Sequence, residues 1–398
     1  MRILVLTSIF PNLFEPQRAT YNRNQIRILG EMHSVRVIAP IAWSEEFRAR
    51  RAGKASLPAD RQVVLDGMTV DHPRVYHASG LLRDWYGRFY YWSVRNEFRR
   101  LCREFKPTII YTPWIYPDGW AAVKLARLAG LPVVLKALGS DVLLLNQHPG
   151  RRAGTVDALK SANGLVAVSR DLAEKAIALG ANPDRVRVIY CGVERDLFLP
   201  GSKTDARLAL GFRGAAAQLL FVGNLVSVKG IDLLLKACAG LKSQGLDFQL
   251  NIVGEGPLQE SLESLGKTLG ISDRIRWRGS IPQIQLPNWY RAADLLVLPS
   301  RSEGVPNVLL EASGCNTPWV ATSVGGIPEI AHLGINRIVP PDSVENLAAA
   351  ILTSLATPAP MGMPPRAIEA GVEETSEFLT EIADRFRAPH PSVVTQKH

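Results

Sequence analysis

A chain of 398 residues is longer than one hydrophobic core usually serves and suits two α/β domains. With 46% hydrophobic and 21% charged residues it lies in the ordinary globular range, which excludes pervasive disorder. The formal charge of +9 favours anionic partners, namely nucleic acid, lipid headgroups or phosphorylated small molecules, without choosing among them.

In chain order, Ile3-Leu4-Val5-Leu6 opens the sequence as a short apolar run. Phe10-Pro11-Asn12 follows where a signal peptide would carry small residues, so 3–7 reads as a first buried strand. Further strands are predicted at 35–39, 108–111, 133–136, 164–168 and 186–189, with helices at 119–128 and 169–179 between them. The polar, basic segment 45–61 reads as a mobile loop. From Arg83 to Arg103, aromatic residues interleave with arginines at helical spacing. Two accounts stand open there: core aromatics beneath a solvated arginine face, or an interfacial element on anionic lipid. No recognition motif accompanies the mixture, and a nucleic-acid partner is not expected.

The pattern breaks near 194–203, which divides an N-terminal domain, 1–198, from a C-terminal domain, 199–366. Strands resume at 219–222, 249–253, 275–277, 295–298 and 319–322, with helices at 230–243 and 258–269. Near-continuous apolar strands alternating with helices predict parallel sheets covered on both faces. Two such sheets would place ligands at the carboxyl ends of strands, in a crevice between the domains. A terminal helix, 367–387, is expected to pack back toward the first domain, and 388–398 reads as a disordered tail. Cys102, Cys191, Cys238 and Cys315 form no C-x-x-C pair, which fits a reducing compartment. No apolar run approaches the ~20 residues of a membrane-spanning helix. A cytoplasmic protein, peripheral at most on the inner face of the plasma membrane, is therefore expected.

The densest chemical signal is Pro299-Ser300-Arg301-Ser302-Glu303-Gly304-Val305-Pro306-Asn307, running on to Glu311. A strand ends at Pro299, a glycine loop follows, and Pro306 suits a first helical turn. Unpaired amides at such a turn seat a phosphate or a sugar oxygen. Glu303 and Glu311 would lie roughly 12 Å apart along a continuous helix, enough to serve two hydroxyl-bearing groups. Taken alone, the spacing equally fits a dipole-favoured acid and a surface glutamate. Upstream, a strand runs into Gly223-Asn224, a loop, and Lys229-Gly230 before a helix, so Lys229 supplies a point charge for phosphate. A third strand-to-helix turn, Gly254-Glu255-Gly256, lacks the third glycine of a dinucleotide fingerprint.

Together with Val324-Gly325-Gly326-Ile327-Pro328-Glu329, these segments resemble the family-4 (group 1) retaining glycosyltransferases of GT-B fold. Looser matches in the first half are Tyr116-Pro117-Asp118-Gly119 and Gly139-Ser140-Asp141. The resemblance implies an α/β protein of two Rossmann-like domains facing a central cleft. It implies transfer of a hexose-type sugar from a nucleotide-diphosphate donor to a saccharide or lipid-linked acceptor, in cell-surface polysaccharide or glycolipid assembly. Carried over by position, Lys229 would neutralise the diphosphate, Glu311 would hold ribose hydroxyls and Glu303 those of the transferred sugar. Gly304, Val305, Pro306 and Asn307 would lie against sugar or phosphate, while Asn224, Gly254, Arg278 and Gly279 complete the donor site. Glu303, Lys229 and Asp141 are the catalytic candidates, and Arg18, Asn22 and Tyr116 the acceptor contacts. No metal and no cofactor are expected, because Lys229 and helix amides replace a divalent ion. Asn224 stands where many members carry an arginine, and Leu138 where many carry a histidine. A nucleotide-sugar epimerase and a non-catalytic nucleotide-sugar-binding or membrane-scaffold protein are the competing readings.

Overall fold

The alternation of apolar runs and amphipathic segments resolves into two parallel sheets, each clad in helices, in a computed structural model. The structure describes residues 1–54, 56–76, 83–145, 149–332, 336–357 and 363–388. The first half contributes β1 (Arg2–Leu6), β2 (Ser34–Ile38), β3 (Ile41–Ala42), β4 (Gln62–Leu65), β5 (Met68–Asp71), β6 (Arg74–Val75), β7 (Ile109–Thr112), β8 (Val133–Ala137), β9 (Gly164–Ala167) and β10 (Val186–Val188). Eight of them form one sheet in the order β10-β9-β8-β7-β1-β2-β5-β4, parallel except for the β4–β5 hairpin. The pair β3–β6 stands apart.

The second half contributes β11 (Ala217–Val222), β12 (Phe248–Val253), β13 (Ile275–Trp277), β14 (Leu295–Leu298), β15 (Trp319–Thr322) and β16 (Arg337–Val339). Their order, β13-β12-β11-β14-β15-β16, is wholly parallel and is the doubly wound order 3-2-1-4-5-6. Strands such as β8 and β14 are buried at every position, as helices on both faces require.

The chain crosses between the domains and then returns. Val193 donates to Arg366 O at 3.0 Å and accepts from Ile368 N at 3.0 Å, so outgoing and returning segments run side by side. The terminal helix Ile368–Arg387 lies on the first domain, with Phe378, Leu379 and Ile382 buried among Ile3, Val5, Val134 and Val166. A Cβ at Gly164 would meet the Phe378 ring at 3.0 Å, so a larger residue there would have to push that ring back.

Two expectations change. The segment read as a mobile loop begins with a helix, Trp43–Arg51. Glu45 and Glu46 sit in its first turn and Arg48, Arg50 and Arg51 in its last, so the charges complement the dipole. Glu46 is buried and paired with Arg61 and Arg74, which turns a charge run into an anchor. The aromatic–arginine segment is the helix Tyr86–Glu104, and aromatics do serve the core on one of its faces. Tyr90, Val94, Phe98 and Leu101 are core, whereas Trp85 and Trp92 are exposed. Residues 389–398 of the expected tail lie outside the described residues. Among the described residues no helix is long and apolar enough to cross a membrane.

Candidate functional site

In a 3-2-1-4-5-6 sheet the helices following the first and fourth strands leave on opposite faces, and the loops above that switch point frame a crevice. Here those are the loops after β11 and β14, and they carry Lys229 and Glu303. Lys229 Nζ donates to Glu303 Oε1 at 2.6 Å, and Ser300 Oγ donates to the same oxygen at 2.7 Å. The two loops are tied at backbone level, Arg301 N donating to Val228 O at 2.7 Å. Gly230 has φ 64°, and a Cβ there would stand 2.0 Å from Pro299 O. The Arg301 guanidinium staples the loops further, bonding Asp232 at 2.9 Å through two nitrogens and Ser227 O at 2.8 Å.

Beyond Glu303, Gly304 meets the first domain. A Cβ on Gly304 would lie 2.2 Å from Leu138 O, and one on Gly139 would lie 2.8 Å from Gly304 N. The backbones therefore approach as closely as two glycines permit. Pro306 is the extended cap of the helix Asn307–Gly314, whose first amides have no partner within the helix. On that helix Glu311 is buried, accepting from the Tyr290 hydroxyl at 2.6 Å and from Gln283 Nε2 at 3.4 Å. Burial pushes the Glu311 carboxyl up to about 7, although both donors pull it down. Asn24 of the first domain donates to Gln283 Oε1 at 3.4 Å and to Glu194 at 2.5 Å. Glu311 thus sits at the domain interface.

The remaining donor candidates form a backbone floor at the ends of β11, β12 and β13. Gly254 N donates to Gly279 O at 2.8 Å and Gly223 N to Val253 O at 3.0 Å. Gly254 has φ 133°, and a Cβ on it would stand 2.0 Å from Gly223 O. Asn224 is exposed at the rim. The Arg278 side chain turns back along the sheet to Asn251 Oδ1 at 3.0 Å, with Trp289 beneath it, so only its main chain stays with Gly279.

In the first domain, the Asp141 carboxylate is buried and accepts from Gly139 N at 2.8 Å and Leu138 N at 3.1 Å. It shapes the loop that touches Gly304. Arg18, Asn22 and Tyr116 are each engaged internally. Asn22 is buried and donates to Ile9 O, and the Tyr116 hydroxyl accepts from Gly87 N at 2.8 Å. Arg18 pairs with Glu45 at 3.1 Å and keeps a third of its side chain exposed.

Several participants carried no signal of their own in the sequence. Ser300, Gln283 and Tyr290 acquire meaning only through the carboxylates they serve. Asp118 stood inside a quoted motif without a role. It is buried at the switch point of the first sheet, between β1 and β7, where Ser8 N donates to it at 2.5 Å and burial raises its carboxyl to about 7. Among the described residues no group of three or more His, Cys, Asp and Glu side chains is arranged to hold a metal ion.

Residues 216–357 match the family model "Glycosyl transferases group 1", and residues 19–192 match "Glycosyl transferase 4-like domain". A D-inositol 3-phosphate glycosyltransferase of Catenulispora acidiphila is 35% identical over 240 residues, 56% of this chain and 57% of that protein. The chain therefore spans little more than half the length of that relative. The putative teichuronic acid biosynthesis glycosyltransferase TuaC of Bacillus subtilis is 29% identical over 368 residues, 88% of each protein. Sucrose-phosphate synthase from Thermosynechococcus elongatus shares the fold, with a TM-score of 0.74 over 97% of each chain at 21% identity.

Proposed function

Because the chain belongs to the group 1 glycosyl transferases and has their GT-B fold, we propose that it moves a hexose-type sugar from a nucleotide-diphosphate donor to a saccharide or lipid-linked acceptor, with retention of configuration. The observation that carries this reading is the meeting of Lys229 and Glu303 at the switch point, 2.6 Å apart and beside a helix start.

In the proposed reaction the bond between the anomeric carbon and the diphosphate breaks, leaving negative charge on the departing oxygen. Lys229 and the unpaired amides at Asn307 stabilise that charge without reorganising, and they stand in for a divalent metal. Glu303 leaves Lys229 to the phosphate and takes the hydroxyls of the transferred sugar. Glu311 accepts from the ribose, and the glycine floor at Gly254 and Gly279 lets the main chain approach the base. The acceptor hydroxyl adds on the face the diphosphate leaves, and its proton passes to the departing phosphate oxygen. Asn224 brings no charge, so Lys229 bears more of the load.

A peripheral membrane partner on the cytoplasmic side belongs to the same proposal. Trp85, Arg88, Trp92, Arg95, Arg99 and Arg103 recur every three or four residues along one outward face of the helix region 85–104. Among the described residues none of these arginines pairs with a carboxylate, and Arg88 and Arg95 lie over Trp85 and Trp92 at 4.4 and 3.9 Å. Such a face suits anionic headgroups presenting a lipid-linked acceptor.

The test combines binding with turnover, using uridine, guanosine and adenosine diphosphate sugars. Lys229→Ala should weaken nucleoside diphosphate binding by about tenfold to a hundredfold, the value of a hydrogen bond to a charged group. Glu303→Gln should lose about a hundredfold in transfer while still binding the diphosphate. Binding without turnover in the wild type would instead support a sensor, and an isomerised nucleotide sugar formed without acceptor would support an epimerase.

A further inference from the structure

One carboxylate of the second domain is engaged entirely by the first. The helix Arg170–Ala178 begins with amides that no intrahelical carbonyl can reach. Ser169 Oγ accepts from Leu172 N at 3.1 Å, which leaves the amides of Arg170 and Asp171. Both are taken across the domain boundary by Glu329, whose Oε2 accepts from Arg170 N at 2.9 Å and Oε1 from Asp171 N at 3.0 Å. The Tyr190 hydroxyl adds a third bond to Oε2 at 2.6 Å. Charge-assisted bonds of this kind, at the positive end of a helix, are among the stronger polar contacts available to a protein.

The turn carrying Glu329 is also fixed to the loop carrying Glu303. Gly326 N donates to Gly304 O at 2.8 Å. A Cβ on Gly325 would lie 1.8 Å from Glu303 O, and one on Gly326 would lie 2.7 Å from Ser169 Cβ. Gly304 in turn rests on Leu138 and Gly139 of the first domain. A closed path therefore runs from the Arg170 helix through Glu329, Gly326 and Gly304 to the Gly139 loop. The cleft cannot open along this side without breaking the Glu329 bonds.

We propose that Glu329 is a positioning residue that latches the two domains shut and so seats the Glu303 loop against the acceptor side during transfer. The proposal rests on the glycosyl-transfer reading for its kinetic consequence, but the latch itself is a property of the fold. Donor groups on the second domain bind the nucleotide whether or not the latch is made. Losing the latch therefore costs turnover rather than nucleotide affinity.

Glu329→Ala, Glu329→Gln and Tyr190→Phe in the full chain test this, with three readouts. Expected for Glu329→Ala are a fall in kcat of about tenfold or more, as loss of charge-assisted bonds implies, a nucleoside diphosphate Kd within about twofold of wild type, and a larger radius of gyration by small-angle scattering. Tyr190→Phe removes one donor and should shift kcat in the same direction by less. If Glu329→Ala does not fold, Glu329→Gln and Tyr190→Phe decide the question with the same readouts. Wild-type kcat together with wild-type scattering overturns the latch, and so does a loss of nucleotide affinity as large as the loss of kcat. Should the wild type bind no nucleotide sugar, the transfer reading fails alone, and scattering still shows whether Glu329 holds the domains together.

Discussion

Glu311 is a carboxyl that burial lifts to about 7, so its charge changes where an enzyme of this kind would work. Ribose hydroxyls donate more strongly to the ionised form, so if Glu311 holds the ribose as proposed, binding of a nucleotide sugar should release a proton from this group. The sign follows: affinity rises with pH through about 7 and levels off above it, while below it affinity falls by up to about tenfold per pH unit. Calorimetry with an intact nucleotide sugar, whose diphosphate diester does not titrate in this range, reads the effect directly. Glu311→Gln should flatten the profile, and an unchanged profile in that variant would assign the titration elsewhere. The two glutamates stood out in the sequence through the family pattern they match, not through their spacing alone. Their partners did not, because Tyr290 and Gln283 lie 21 and 28 residues from Glu311 and look like ordinary helix residues until packed.

Among elements, glycines stand in loops and helices for two different reasons. Gly230 is held at φ 64° with Pro299 O where its Cβ would be, so Gly230→Ala must push the Lys229 loop away from the Glu303 loop. A cost of about 1–3 kcal/mol is expected from the strained conformation alone. It should appear as a lower Tm together with weaker nucleoside diphosphate binding. Gly240, inside the helix Ile231–Ser243, has nothing within 4 Å of a Cβ, so Gly240→Ala should keep binding and hold or raise Tm, by about 0.5–1 kcal/mol of helix propensity. Thermal melts of the pair separate a glycine needed for geometry from one that is merely tolerated. Glycine punctuation made the first kind visible in the sequence. The helix Trp43–Arg51 was hidden because its anchor, buried Glu46, is satisfied by Arg61 and Arg74 from beyond the segment.

At the scale of the whole molecule, the net charge of +9 is unevenly used. Many arginines are spent in ion pairs, such as Arg23 with Asp66 and Arg36 with Asp71, whereas those of the 85–103 stripe face outward. Cosedimentation with vesicles should therefore require anionic lipid and weaken as salt rises. Reversing Arg95, Arg99 and Arg103 to glutamate should lower partitioning by about a hundredfold or more, at roughly 1 kcal/mol per basic residue. Equal binding to neutral vesicles, or no effect of the reversal, would remove the membrane from the proposal.

Local pattern was enough to specify two α/β halves, with a lysine loop and a glutamate-bearing loop and helix at strand ends. Apolar periodicity, glycine turns and helix starts are properties of neighbouring residues, and they survive in any tertiary arrangement. Strand order is not such a property. Placing β11 beside β14 brings Lys229 onto Glu303 across 74 residues, and closing one domain on the other brings Glu329 onto the Arg170 helix across 159. Arg278 shows the converse, since tertiary packing turned its side chain to Asn251 while its backbone stayed beside Gly279. Which charged group meets which is settled by the burial of whole sheets, whose free energy outweighs any single ion pair and so dictates where the pairs must form.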